Sequence, residues 1–60
     1  MTGFGLRKNI VFDWSGSKFR IDRVNENGDV VLERLADGLI SVLKRQVLLT
    51  EYSEGKILAQ

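Results

Sequence analysis

Lys18-Phe19-Arg20-Ile21-Asp22-Arg23-Val24, Asp29-Val30-Val31-Leu32-Glu33-Arg34 and Leu39-Ile40-Ser41-Val42-Leu43 are three short runs of alternating apolar residues, separated by two glycine turns. Alternation with a period of two places apolar side chains on one face of a strand and polar ones on the other. In the first run Phe19 and Ile21 share the core face while Lys18, Arg20 and Asp22 face out; Arg23 and Val24 break the pattern. In the second, Val30 and Leu32 point one way, Val31 and Glu33 the other. Tight connections leave no room for crossover helices, so the runs predict an antiparallel meander that curls on itself.

Outward from this centre, Asn9-Ile10-Val11-Phe12-Asp13-Trp14 reads as a preceding strand, rich in branched and aromatic residues and ended by Ser15-Gly16-Ser17. Asn25-Glu26-Asn27-Gly28 predicts a tight hairpin whose Asn-Gly pair supplies positive φ angles, and Leu35-Ala36-Asp37-Gly38 a second turn. Past Leu43 the alternation stops. Leu48 and Tyr52 stand four apart with Val47 beside them, which predicts a short helix over Lys44 to Glu54, with Gly55 as its C-terminal cap. Lys56 to Gln60 reads either as a fifth strand or as a link to something further. Residues 1–8, with Gly3 and Gly5 around Phe4 and then Leu6, read as a flexible lead-in with a mobile tip and two apolar side chains available for docking. Residues 9–60 then form a single small module, expected to be the N-terminal piece of a longer protein.

Sixty residues allow one domain, and a chain this short buries roughly 60% of the surface its unfolded form exposes. With 43% hydrophobic and 28% charged residues it lies well inside the folded class. Cysteine and histidine are both absent, so no disulfide and no ordinary zinc site assists the core. No apolar run has the length of a signal peptide or a membrane span, and the expected location is the cytoplasm.

Catalytic groups are hard to find. Ser15, Ser17, Ser41, Thr50 and Ser53 lack a histidine or cysteine partner, and the carboxylates are scattered over turns and outward strand faces. The glycines match neither a phosphate loop nor a dinucleotide fingerprint. Neither enzyme activity in this domain, nor a cofactor, metal or small-molecule substrate, is expected.

Binding is what remains. Nine basic and eight acidic residues leave a net charge of +1, too small to imply nucleic acid or membrane by bulk charge. Distribution matters more. Arg7-Lys8 and Lys44-Arg45 are uncompensated basic pairs, the second beside a helix N-terminus whose exposed amides favour phosphate. Lys18, Arg20 and Arg34 could gather across neighbouring strands, although a solvated, ion-paired face is the plainer reading. Trp14 is open between a stacking platform for a base and the plug at one end of a barrel, the second being the commoner use; Phe4 and Tyr52 carry the same choice.

Taken together, Phe12-x-Trp14-x-Gly16-x-x-Phe19-x-Ile21-x-x-Val24, then Val30-x-Leu32, Asp37-Gly38, Leu43, Leu48 and Tyr52-x-x-Gly55 resemble the small β-barrel segment of DDE-type transposases of the bacteriophage Mu and large-transposon kind, in the retroviral-integrase-like group. The likeness runs from Ile10 to Leu58, and other SH3-like or Tudor-like barrels share part of the pattern. It implies a flanking module of a DNA-transposing recombinase whose catalytic carboxylates lie in a separate RNase H-like domain; none of those carboxylates maps onto this sequence. Such a module would contact DNA backbone, partner subunits or neighbouring domains of its own chain.

The resulting expectation is an all-β, small SH3-like barrel of four to five antiparallel strands with one short helix near the C-terminus. Its core would be Ile10, Phe12, Phe19, Ile21, Val30, Leu32, Ile40, Val42, Leu48 and Tyr52. Arg7, Lys8, Lys18, Arg20, Lys44 and Arg45 are the candidate phosphate contacts, with Trp14 as a stacking group, and near-neutral charge limits any such contact to weak, salt-sensitive binding. The rival is a protein-interaction module that uses its aromatics or an exposed strand edge.

Overall fold

Turn geometry sets the path of the chain. The computed structural model describes residues 5–59; the expected mobility of the chain tip, the packing of Phe4 and the terminal Gln60 lie outside the described residues. Strands β1 (Val11–Trp14) and β2 (Ser17–Val24) are joined by Ser15 and Gly16, whose φ values of 54° and 78° form the left-handed pair that matches strand twist. The next turn differs from the expected tight one. Asn25 N–H donates to Asp29 C=O, Gly28 N–H donates to Asn25 C=O, and Gly28 alone takes a positive φ, 94°. The loop into β3 (Asp29–Arg34) therefore has three residues and ends in a glycine bulge.

After β3, the Leu35–Gly38 turn leads into β4 (Ile40–Lys44), which passes without a break into helix α1 (Arg45–Ser53). The helix stops as its sequence demands. Gly55, at φ 80°, donates to Tyr52 C=O while Lys56 N–H donates to Glu51 C=O, a complete glycine-terminated cap. The open alternative at residues 56–60 resolves as a strand, β5 (Ile57–Ala59).

The fold is all-β with one short helix, as expected from the sequence. One antiparallel sheet runs in the order β4-β3-β2-β1-β5. β4 and β5 form its two edges, and α1 spans from one to the other. Asp22 is the extra residue of a bulge, since Ile21 pairs with Leu32 but Arg23 with Val31. This accounts for the broken alternation at Arg23-Val24: the insertion turns Val24 back to the inner face, where it packs on the core.

That core comprises Phe12, Phe19, Ile21, Val30, Leu32, Leu48 and Ile57, with Leu6, Ile10, Trp14, Val24 and Leu43 packed around it. Three expected core residues lie outside it. Ile40 is 55% and Val42 56% exposed, and Tyr52 is exposed as well. The cause is register: Leu32 pairs with Ser41 and Val30 with Leu43, so Ser41 and Leu43 face inward and their neighbours outward. With Leu39, Ile40, Val42 and Leu43 all apolar, the sequence supports either phase. Tyr52 yields its place to Ile57, which β5 brings onto β1 opposite Trp14.

Candidate functional site

The seven candidate residues fall into two groups, defined by the strand register. At the end of the sheet near the Ser15-Gly16 turn the charges are neutralised. Lys18 Nζ lies 3.1 Å from Asp13 Oδ1, its directly opposite cross-strand neighbour. Lys56, which follows α1, bonds Glu54 at 3.0 Å, and this carboxylate together with Glu51 raises its pKa. Arg34 holds Asp37 with two donors, Nε at 3.0 Å and Nη2 at 2.6 Å.

Arg20, in mid-sheet, has its guanidinium fully engaged. Nε and Nη2 donate to Glu33 Oε1 at 3.2 and 2.8 Å, Nη2 also donates to Asp22, and Nη1 donates to Asn9 Oδ1 at 2.9 Å. The bonds to Glu33 are the main reason its pKa rises further above the ordinary arginine value. Arg20 therefore ties β2, β3 and the segment before β1 together, and with Lys18 it forms an ion-paired outer face; Arg34, in register with the core residue Phe19, lies in the opposite phase and is ion-paired separately to Asp37.

Trp14 plugs the same end. Its ring is 5.6 Å from that of Phe19, and its Nε1–H donates to Glu51 Oε1 at 3.0 Å. With Ser15, Glu51 and Lys56 it lines an open groove of about 380 Å³. The role of Glu51 was not visible in the sequence, because the two partners are 37 residues apart and meet only once α1 crosses from β4 to β5.

The other end of the sheet is different. Asn9 N–H donates to Ile21 C=O in the middle of β2, and Ile10 N–H donates to Arg7 C=O, closing a turn through Lys8 and Asn9 with Asn9 at φ 73°. Lys44 pairs with Asp29 across β3 and β4, and Arg45 N–H donates to Gly28 C=O, which places the second basic pair at the Asn25–Gly28 end. Lys44 Nζ reaches Asp29 at 3.0 Å. Among the described residues Arg7, Lys8 and Arg45 are exposed and have no ion-pair partner. Arg23, overlooked in the sequence, joins them; it is 67% exposed and its contact with Asp22 is long, 3.5 Å. Its signal was the Asp22-Arg23 doublet that interrupts the alternation. Asp22, against Arg23, and Asp29, against Lys44, are the acids in contact with these cations.

The Arg34–Asp37 clasp leads to a pH prediction. The Asp37 carboxyl is lowered from 3.8 to about 2, first by the Arg34 guanidinium and next by the Leu39 N–H, which donates to Oδ1 at 3.1 Å. A folded value below the unfolded one stabilises the turn fully above pH ~4 and progressively less as pH falls towards 2. Following the Asp37 carboxyl carbon and the Leu39 amide by NMR during acid titration should give a midpoint near the lower value. A midpoint at 3.8 would show the clasp to be absent in solution.

Among the described residues no helix is long and apolar enough to cross a membrane, and no three carboxylates converge as a metal cage. Comparison with known protein families, curated proteins and solved structures finds no match to this chain.

Proposed function

We propose that this chain is a non-catalytic DNA-contact module of a transposase or integrase-like recombinase, assisting DNA binding or assembly of the transposition complex in the cytoplasm. One observation carries the DNA-contact part: Arg7, Lys8 and Arg45 are exposed with no ion-pair partner among the described residues, while Lys18, Arg34 and Lys56, at the Ser15-Gly16 end of the sheet, are neutralised. A guanidinium or ammonium group with no carboxylate partner is free to replace the counterions of a phosphate backbone. Lys44 and Arg23 supplement these three; Lys18 and Arg20 act indirectly, by holding the sheet in shape. The recombinase part rests on the sequence pattern from Ile10 to Leu58.

Fluorescence anisotropy with labelled duplexes at low salt tests the contact. Weak binding of equal strength to transposon-end and random duplexes is expected, because backbone contacts carry no sequence information. Absence of binding to both would remove the direct DNA role. A second reading, a protein-interaction module, is favoured by the exposed apolar side chains on the β4 edge. Chemical-shift mapping separates the two: perturbation at Arg7, Lys8 and Arg45 marks DNA, whereas perturbation along Ile40–Lys44 marks protein.

A further inference from the structure

We infer that β4 is a self-complementary edge through which two copies of this chain join into one continuous sheet. The β3–β4 ladder decides where each backbone group points. Arg34 N–H donates to Leu39 C=O and Arg45 N–H to Gly28 C=O, both at 2.8 Å, so residues 39, 41, 43 and 45 exchange bonds with β3. Ile40 and Val42 turn their N–H and C=O groups to the open side, as Lys44 does its N–H, while the Lys44 C=O, at the N-cap of α1, takes the first helical bond. By the same alternation their side chains stand on the outer face, with Ile40 55%, Val42 56% and the Lys44 side chain 70% exposed. Edges of this kind are normally guarded by proline, an inward charge or a bulge; the stretch from Ile40 to Leu43 has no charge and no proline.

A second copy running antiparallel fits this edge with Val42 opposite Val42 and Ile40 opposite Lys44. The central Val42 pair then exchanges two bonds, and each Ile40–Lys44 pair gains the bond from the Lys44 N–H to the Ile40 C=O. The outer face is complementary as well. Val31 lies beside Val42 within each copy, so four valines form the centre of the joint. Glu33 lies beside Ile40. Lys44 of the second copy stands beside that isoleucine with its ammonium kept on its own Asp29. The contact is isologous and closes at two copies. A second copy is the occupant because it brings the same uncharged Ile40–Leu43 edge and the same valine pair to the joint, sets no charge at its centre and closes the contact on itself.

Sedimentation equilibrium of the chain at about 1 mM, where even a Kd in that range populates a dimer, should give a mass approaching twice 6.8 kDa. Val42→Lys sets two ammonium groups against each other on the two-fold axis and should sediment as a monomer. Val42→Pro removes an N–H that faces the open side and spares the bonds to β3, so it too should be monomeric with dispersed amide resonances. In a mixture of labelled and unlabelled chain, Ser41 Hα should show a contact to Leu43 Hα of the other copy. A wild-type monomer at that concentration, dimers unaffected by either substitution, or a dimer lacking this Hα contact would each overturn the inference.

Discussion

The Phe12→Ala chain should lose more than half of its stability and melt far below the wild type. Phe12 is fully buried, its ring lies 6.0 Å from that of Phe19, and its strand is paired on both sides, to β2 and to β5. Truncating a buried phenylalanine costs about 3–5 kcal/mol in lost transfer energy and residual cavity. A domain of this length has roughly 3–9 kcal/mol of stability in all. It has no disulfide to limit the loss. Ile40→Ala and Val42→Ala, by contrast, should each change stability by about 0.5 kcal/mol or less, because those side chains are exposed on an edge strand. Circular dichroism melts of the three variants at low concentration provide the check. A Phe12→Ala melt matching the wild type, or an Ile40→Ala melt as damaged as Phe12→Ala, would mean that the inner and outer faces are assigned the wrong way round.

Replacing Arg7, Lys8 and Arg45 together by glutamate should abolish binding to duplex DNA while leaving the melt unchanged. Each neutralised phosphate contributes a slope of about 0.9 to the dependence of log affinity on log salt. Three contacts give a slope near 2.7, so the wild-type chain should weaken about 40-fold between 50 and 200 mM salt. Lys18→Gln and Lys56→Gln form the control, since both ammonium groups already lie against carboxylates. Those variants should bind within about twofold of the wild type, as their charges are not available to replace counterions. The DNA contact would belong elsewhere if the control pair lost affinity and the triple glutamate variant did not.

How much of this was legible in the sequence depends on whether local residues or distant partners decide each feature. The β2 and β3 strands, the helix and its Gly55 stop follow from alternation and from a glycine at positive φ, both local properties. The phase of β4 does not, because Leu39-Ile40-Ser41-Val42-Leu43 carries apolar residues on both faces and only the pairing with β3 chooses between them. β5 is three residues long and acquires its identity from β1, more than 40 positions away in the chain. The site divides in the same way. Lys18 and Arg20 look like free cations along the chain, and Asp13 and Glu33 become their neighbours only across the sheet. Arg7, Lys8 and Arg45 were visible as basic residues, but that they alone among the described residues lack carboxylate partners follows from the pairing of the others across the sheet.

The pairing of β1 with β5 also fixes how the domain meets mechanical load. Phe12 faces Ala59 and Trp14 faces Ile57, so the first strand begins on the side where the last one finishes, about 5 Å away. Tension applied through both ends of the chain meets these hydrogen bonds one at a time, like a zipper drawn from its slider, instead of shearing them all together. The domain should therefore give way at low force, opening at Phe12 and Ala59 first, with the Trp14 plug held until last.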